Sequence, residues 1–209
     1  ILYFGDTADT SQGWIHYDNS NDSVTTTINN TNCAPEGDMS YGDGIHFFEL
    51  GDIQNATQPG GTGYNDFTNL STDLEQGSTN VLTLATGYGN QHFRVWIDYN
   101  DDYQFSDDEL IVDNPVLANN QGAGDYSGTL QVQIPEDALG GQHILRIKSN
   151  TGTPVPSNAC EQTTFSETED YSVNIINPLS VNENRESLYL NHGIFWNSYM
   201  LFHNKPAEF

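Results

Sequence analysis

The feature that most constrains the fold is a series of short runs in which apolar and polar residues alternate. VLTLAT (81–86), HFRVWI (92–97) and TLQVQI (129–134) all have a period of two. This period turns one side of an extended strand toward a core and leaves the other side polar. Glycine and asparagine turns separate the runs, and no segment keeps a helical period of 3.6 residues over three turns. The pattern predicts an all-β fold, namely an antiparallel β-sandwich that resembles a jelly roll.

The same alternation predicts which side chains form the core and how the chain divides. An N-terminal extension with one or two strands is expected over 1–32 and the sandwich domain over 33–176. The remainder, 177–209, is interpreted as a linker or tail, either an added strand pair or vector-derived sequence. The side chains on the apolar sides of the strands are expected to be buried: Leu82, Leu84, Phe93, Val95, Ile97, Leu130, Val132, Ile134, Leu145, Ile147, Val173 and Ile175.

The charge of the chain excludes some classes of partner. Its 209 residues include 29 acidic and 5 basic side chains, which gives a net charge of −24. Such a charge argues against binding to nucleic acid or to an anionic membrane surface, and it favours divalent cations. An acidic surface without a specific ligand is the alternative. The sequence has no apolar run of about 18 residues, so no membrane span is expected.

Two cysteines, Cys33 and Cys160, are the only ones in the chain. They are too few for a four-ligand zinc site. A disulfide between them is the favoured interpretation, with two buried free thiols as the alternative. A disulfide implies an oxidising compartment, so we expect a secreted or cell-surface protein.

An acidic stretch, DYNDDYQFSDDE (98–109), follows the strand-like run HFRVWI. Counted from its first aspartate, it has the ligand spacing of an EF-hand loop, and its preferred cation is calcium. A bound cation would also relieve the repulsion among its carboxylates. A solvated acidic turn without an ion is the alternative. The predicted ligands, at positions 1, 3, 5, 7, 9 and 12, are Asp98, Asn100, Asp102, Gln104 through its backbone carbonyl, Ser106 through water, and Glu109.

Four motifs in order carry a resemblance to a known family. They are GTGYNDFTN, VWIDYNDDYQFSDDE, IPEDALGGQHILRIK and FSETEDYSVNI, and together with the second cysteine they resemble the GEVED domain. The resemblance implies a secreted β-sandwich accessory module of the Bacteroidota type. Such modules are non-catalytic and are often joined to proteases or glycan-degrading enzymes exported by type IX secretion. Two positions depart from the family pattern, because Tyr103 and Ser166 stand where glycine is usual.

The acidic motif near the end of the domain allows a catalytic and a structural interpretation. A carboxylate pair could hydrolyse glycosides. The chain contains neither HExxH nor GxSxG, and its six histidines are scattered. With cations so scarce, we instead expect structural ion pairs, in which Glu169 or Asp170 pairs with an arginine. The residues assigned to these pairs are Glu167, Glu169, Asp170, Arg94 and Arg146.

Aromatic side chains are the candidates for ligand contact. Trp96 lies opposite the apolar side of its strand, so it either packs against a second layer or forms a stacking platform, and packing is favoured. Tyr88 is expected at the tip of a turn. The principal contact candidates are Tyr88, Trp96 and Tyr64, and further aromatic candidates are Trp14, Tyr17, Tyr41 and Tyr99.

Three functions remain open from the sequence. The first, which we favour, is a non-catalytic, calcium-stabilised accessory or adhesion module that binds a polysaccharide or cell-surface glycan. The second is a carboxylate-based polysaccharide-degrading enzyme. The third is a purely structural module of a cell-surface assembly, with strand addition to a protein partner.

Overall fold

The computed structural model describes residues 14–17, 24–27, 32–58 and 62–178. This part of the chain is all-β, and its one helical element is a single 3-10 turn. None of its helices is long and apolar enough to cross a membrane. The predicted C-terminal segment 177–209 lies almost entirely outside the described residues.

Most strands belong to two sheets. The five-stranded sheet has the order β5-β11-β10-β7-β8, and the four-stranded sheet has the order β4-β3-β6-β9. A separate antiparallel pair is formed by β1 and β2. The strands are β1 (Trp14–Tyr17), β2 (Val24–Thr27), β3 (Phe47–Leu50), β4 (Ile53–Ala56), β5 (Tyr64–Glu75), β6 (Thr79–Tyr88), β7 (Gln91–Ile97), β8 (Leu110–Leu117), β9 (Ala123–Gln133), β10 (Gly141–Thr151) and β11 (Ser166–Ile176).

The expectation of a fully antiparallel sandwich is wrong for one strand pair. β11 runs parallel to β5, and their register shifts between Asp170 and Ser172. Parallel neighbours need a long connection between them. The chain from β5 to β11 contains five other strands and supplies that connection. The five-stranded sheet is therefore mixed, and its other ladders are antiparallel.

One core joins the two sheets. It contains side chains from β3 and β6 of one sheet and from β7, β10 and β11 of the other. All the predicted core residues except Leu130 are buried, and Leu130 is half-buried against the same core. Phe48 of β3 stacks on Tyr171 of β11 with ring centroids 4.4 Å apart. The alternation in the sequence thus predicted the buried side of each strand correctly.

A smaller apolar cluster covers the opposite side of the five-stranded sheet. It contains Trp96, Phe105, Val155 and Ala159. Trp96 projects from β7, whereas the other three come from loops that follow β7 and β10. The five-stranded sheet is therefore covered on both faces in this region, and the acidic loop supplies part of the cover.

Candidate metal centre and acidic strand

The acidic loop connects β7 to β8 and runs over residues 98–109. At its start, the backbone N–H of Asp98 still donates to the carbonyl of Ile144 in β10, at 2.9 Å. At its end, Asp107–Glu109 form the 3-10 turn, and β8 follows directly. Both ends of the loop are thus fixed to the five-stranded sheet.

Within the loop, the backbone coils around the side-chain oxygens of positions 1, 3 and 5. The two carboxylate oxygens of Asp98 accept from the N–H groups of Asp102 and Tyr103, at 3.1 and 2.9 Å. Asn100 Oδ1 accepts from the Asp102 N–H at 2.9 Å. Asp102 Oδ1 accepts from the Gln104 N–H at 2.8 Å. The two Asp98 oxygens and Asn100 Oδ1 each accept one of these hydrogen bonds, and an oxygen of either kind has two lone pairs.

Glu109, at position 12, returns to the loop from its far end. Its Oε2 accepts from both the N–H and the hydroxyl of Ser106, each at 2.9 Å. Its other oxygen, Oε1, is buried and has no hydrogen-bond partner within the described residues. Leaving a carboxylate oxygen buried and unpartnered is costly. Ser106 thus orients Glu109 through two hydrogen bonds, and its contribution to a cation through water stays a prediction.

Two acidic side chains of the loop are almost fully buried. Asp98 is 1% exposed and Glu109 is 4% exposed. Burial raises the pKa of Asp98, and the nearby charges of Glu109 and Asp102 raise it further, against the hydrogen bonds from the backbone. No ion pair joins Asp98 or Glu109 to a basic side chain in the described part of the chain. Within the described residues, these two buried carboxylates have no charge partner.

The donor chemistry of the loop fits calcium. Calcium takes six to eight oxygens from carboxylates, amides and carbonyls. Within the described ranges, no group of three or more His, Cys, Asp or Glu side chains is placed so that it could hold a metal ion. The loop would accordingly rely on an amide oxygen and a backbone carbonyl, from Asn100 and Gln104, besides its carboxylates.

Tyr103 shows how the loop accommodates its departure from the family pattern. Its φ is +62°, so the backbone takes the left-handed conformation that glycine usually supplies. The side chain is 38% exposed and meets no crowded core. The sharp turn of the loop is thus retained, although a residue with a Cβ is less stable in this conformation.

Asp101, in the same loop, contacts β10 rather than the loop interior. Asp101 Oδ1 lies 3.0 Å from Nδ1 of the buried His143. The ring of Tyr99 meets the ring of His143 edge-on, with centroids 6.0 Å apart. These contacts anchor the loop from the side.

Phe105 links the loop to the sheet below it. Its ring lies 6.2 Å from that of Trp96 and only 4.6 Å from the guanidinium carbon of Arg146. Both partners are buried on the outer side of the five-stranded sheet. The conformation of the loop therefore decides whether this side of the sheet is covered.

Arg146 is the centre of a buried polar network. Its Nε and one terminal nitrogen donate to the two oxygens of Asp170, at 2.7 and 2.8 Å. The same terminal nitrogen reaches the Cys33 carbonyl at 2.6 Å and Asn32 Oδ1 at 2.9 Å. Cys33 is joined to Cys160 by the predicted disulfide. The N-terminal part of the domain is thus connected to β10 and β11 by one covalent bond and one ion pair.

The predicted ion pairs are only partly present. Asp170 pairs with Arg146, which agrees with the expectation that Glu169 or Asp170 would pair with an arginine. Arg94 instead pairs with the exposed Asp113 of β8, at 2.9 Å. Glu167 and Glu169 form no ion pair with a described cation, so their assignment to ion pairs is wrong. Along β11 they alternate with Asp170 and therefore lie on the other side of the sheet.

Glu167 and Glu169 are fully buried and hydrogen-bonded. Glu167 accepts from the Ile45 N–H at 2.7 Å and from the Asn65 amide at 2.9 Å. Glu169 accepts from the Tyr171 hydroxyl at 2.7 Å. Burial raises the pKa of Glu167 to about 7. Burial and the adjacent Glu167 raise the pKa of Glu169 to about 8.

The predicted ligand-contact aromatics are mostly engaged elsewhere. Trp96 is 1% exposed beneath Phe105, so its assignment as a ligand contact is wrong. Tyr64 is half-buried, and its hydroxyl donates to Asp170 at 2.8 Å. Burial and the charge of Asp170 raise the pKa of this hydroxyl. Tyr88 is half-buried beside an irregularity between β6 and β9.

Sequence reasoning missed one aromatic feature. Tyr41 and Phe165 form an edge-to-face pair with centroids 5.6 Å apart, and both rings are exposed. Tyr41 was one of several aromatic candidates, but Phe165 was not. The two residues lie in loops far apart in the sequence, and no periodic pattern reports their contact.

Comparison with known proteins supports the resemblance for part of the chain. The GEVED domain family model matches residues 92–174, which include the acidic loop and the acidic residues of β11. No curated protein matches the chain significantly.

Two solved structures have a distant likeness to the fold. The first is a family 123 glycoside hydrolase from Clostridium perfringens, whose structure was analysed for its hydrolysis of glycolipid glycans. It is 12% identical with a TM-score of 0.29, and the match covers 56% of this chain and 23% of that one. The second is the N-terminal domain of PorA, 11% identical with a TM-score of 0.22, covering 62% and 96%. Neither likeness is close enough to indicate a function.

Proposed function

We propose that this protein is a non-catalytic, calcium-stabilised extracellular module on a jelly-roll-like β-sandwich, and that it serves in adhesion or as an accessory to an enzyme. The observation that carries the proposal is the acidic loop. It winds around its own side-chain oxygens and holds two buried carboxylates, Asp98 and Glu109, without a described basic partner. A bound divalent cation would compensate these charges.

The proposed ligands divide into three kinds. Carboxylates come from Asp98, Asp102 and Glu109, an amide oxygen from Asn100, and a backbone carbonyl from Gln104. Ser106 would hold Glu109 in place through the hydrogen bonds it already donates. Calcium would supply charge compensation and a fixed loop geometry. The fixed loop would in turn keep Phe105 over the sheet.

The location and the ligand class follow from other features. The disulfide between Cys33 and Cys160 supports an oxidising location, on the cell surface or outside the cell. The net charge of −24 favours a neutral ligand over an anionic one. We therefore propose a neutral glycan as the binding partner. Strand addition at an open sheet edge is the alternative mode, for a protein partner.

The burial of the acidic strand supports a non-catalytic role for it. Glu167 and Glu169 are both 0% exposed, and they are held by partners inside the protein. Carboxylates that hydrolyse a glycoside must flank the scissile bond. An enzymatic role for this pair would thus require the sheet to open.

Thermal melts in EDTA, calcium and magnesium test the proposal. Binding to the folded state alone adds about 2.7 kcal/mol at a hundredfold excess over Kd. We expect calcium to raise the melting temperature by roughly 5 to 10 °C over EDTA. Magnesium should act weakly, because it demands a tight octahedral shell. Asp98→Asn should abolish the calcium effect, while Asp108→Asn, on an exposed residue of the same loop, should retain it. Equal melting temperatures in all three solutions would refute the proposal.

A further inference from the structure

Two exposed aromatic rings meet on the surface of the domain. Tyr41 is 64% exposed and Phe165 is 37% exposed. Their ring planes meet at 71° with the centroids 5.6 Å apart, so the rings form two sides of an angle. We call them the aromatic pair. Most of the other large apolar side chains of the described residues are in the cores, so this exposed contact needs an explanation.

The backbone beneath the aromatic pair is firmly held. The Asp38 N–H donates to the Thr164 carbonyl at 2.7 Å, which joins the loop that carries Tyr41 to the loop that carries Phe165. The Phe165 carbonyl accepts from the N–H of Thr151 in β10, at 2.9 Å. Two surface rings on a fixed backbone lose little conformational freedom when a ligand binds, which favours binding.

A glycine makes the contact between these two loops possible. A Cβ at Gly37 would lie 2.0 Å from the carbonyl oxygen of Ser166. The Gly37 N–H also donates to the Thr62 carbonyl at 2.9 Å. The chain before Tyr41 thus lies directly against the start of β11, and a larger residue at Gly37 would clash with Ser166.

Polar groups flank the two rings in the sequence. Asp38, Ser40 and Thr164 are exposed, and the Ser40 N–H donates to Asp38 Oδ1 at 2.9 Å. The surroundings therefore offer a carboxylate, hydroxyls and backbone groups beside an apolar surface. Ligand sites of this composition bind by apolar contact and fix orientation with a few polar groups.

Charge and size distinguish among the ligands that stack on aromatic rings. The net charge of −24 disfavours nucleic acid bases, whose phosphates would be repelled. A stable protein interface covers about 800 Å² on each partner. Two aromatic side chains supply at most about 300 to 500 Å². A single sugar ring matches the patch better, because it has an apolar C–H face for an aromatic ring and hydroxyls around its edge.

We propose that the aromatic pair is the primary contact for a neutral glycan, with one sugar ring packed in the angle between Tyr41 and Phe165. Hydroxyls of that sugar would bind Asp38, Ser40 or Thr164. This inference rests on the proposed function as a glycan-binding module. The site contains no residue of the acidic loop, so we expect calcium to act on binding only through the stability of the fold.

Affinity electrophoresis in native gels tests the inference. The gels contain one of four neutral polysaccharides, namely xyloglucan, laminarin, galactomannan or hydroxyethyl cellulose. We expect at least one to retard the wild-type protein, and Tyr41→Ala and Phe165→Ala each to weaken that binding about tenfold or more. Leu139→Ala removes an exposed apolar side chain elsewhere and should bind as the wild type does. Unchanged melting temperatures confirm that the variants are folded.

The outcomes separate this inference from the proposed function. Binding that survives both aromatic variants, or that is lost in Tyr88→Ala instead, would overturn the site while leaving glycan binding intact. The absence of retardation in every gel would overturn the site and the glycan-binding role together. The calcium-dependent melts would still decide whether the module is stabilised by the ion.

Discussion

Raising the pH should destabilise this protein through two buried carboxyl groups. Glu167 and Glu169 are fully buried on β11, and their pKa values are raised to about 7 and about 8 from the ordinary 4.5. The stabilising form is the protonated one. Its contribution is complete below the unfolded pKa and is lost as the pH rises through the folded pKa values. The relevant window therefore extends from about pH 4.5 to pH 8.

The size of the effect follows from linkage. Between the unfolded pKa and its own raised pKa, about 7 for Glu167 and about 8 for Glu169, each group binds up to one more proton in the folded protein than in the unfolded chain. Each then lowers the free energy of unfolding by about 1.4 kcal/mol per pH unit. From pH 5 to pH 7, Glu169 alone accounts for roughly 2 to 3 kcal/mol. For a chain of this size, that corresponds to a fall in melting temperature of roughly 5 to 10 °C.

Urea unfolding from pH 5 to pH 8.5 in saturating calcium measures this effect. Glu169→Gln keeps an acceptor for the Tyr171 hydroxyl but cannot ionise. Its free energy of unfolding should decline less steeply than that of the wild type, by about 1.4 kcal/mol per pH unit. Glu136→Gln, the same change at an exposed position, should follow the wild type. Parallel pH profiles for the wild type and Glu169→Gln would show that this carboxyl is not protonated in the folded state.

Three further predictions concern other parts of the structure. Tyr103→Gly should stabilise the calcium-loaded protein by about 0.5 kcal/mol, because glycine accepts the positive φ freely, whereas Tyr103→Val should destabilise it. Thermal melts that rank the two variants in the opposite order would contradict the loop geometry. Asp170→Asn should lower the free energy of unfolding in urea by about 3 to 5 kcal/mol, since it leaves the buried Arg146 guanidinium unpaired. Asp113→Asn, at the exposed pair with Arg94, should lower it by under about 1 kcal/mol. Equal losses in the two variants would argue against the buried network. Reduction of the Cys33–Cys160 disulfide, which spans 127 positions, should lower the free energy of unfolding by about 5 kcal/mol. Thiol labelling of the unreduced, denatured protein should find no free thiol. Two labelled thiols per chain would disprove the bond.

The buried side of each strand could be predicted from the sequence, because it depends on neighbouring residues. Alternation in the run that contains Phe93, Val95 and Ile97 identified the side of β7 that enters the core. The spacing of the acidic stretch predicted six ligands, of which Asp98 and Glu109 are buried, and their binding of a cation stays a prediction. The alternation succeeds as a predictor because a strand period is read from neighbouring residues alone.

Strand order and layer packing escaped prediction. The parallel pairing of β5 with β11 depends on where distant strands meet, which no run of the sequence encodes. Glu167 and Glu169 were expected to form ion pairs, yet β11 lies between β5 and β10 and buries both side chains. Trp96 was correctly placed opposite the core, but its burial depends on Phe105 from the acidic loop.

Direct calcium binding is the measurement that tests the account most closely. Isothermal titration of chelator-stripped protein should be done in about 0.5 M salt, which screens diffuse attraction to the acidic surface. The account predicts one calcium ion per chain, lost in Asp98→Asn and in Glu109→Gln. Asp108→Asn, which removes the same charge from an exposed residue of the loop, should still bind one ion. The absence of a stoichiometric site in the wild type, or a site that persists in Asp98→Asn and Glu109→Gln, would contradict the assignment.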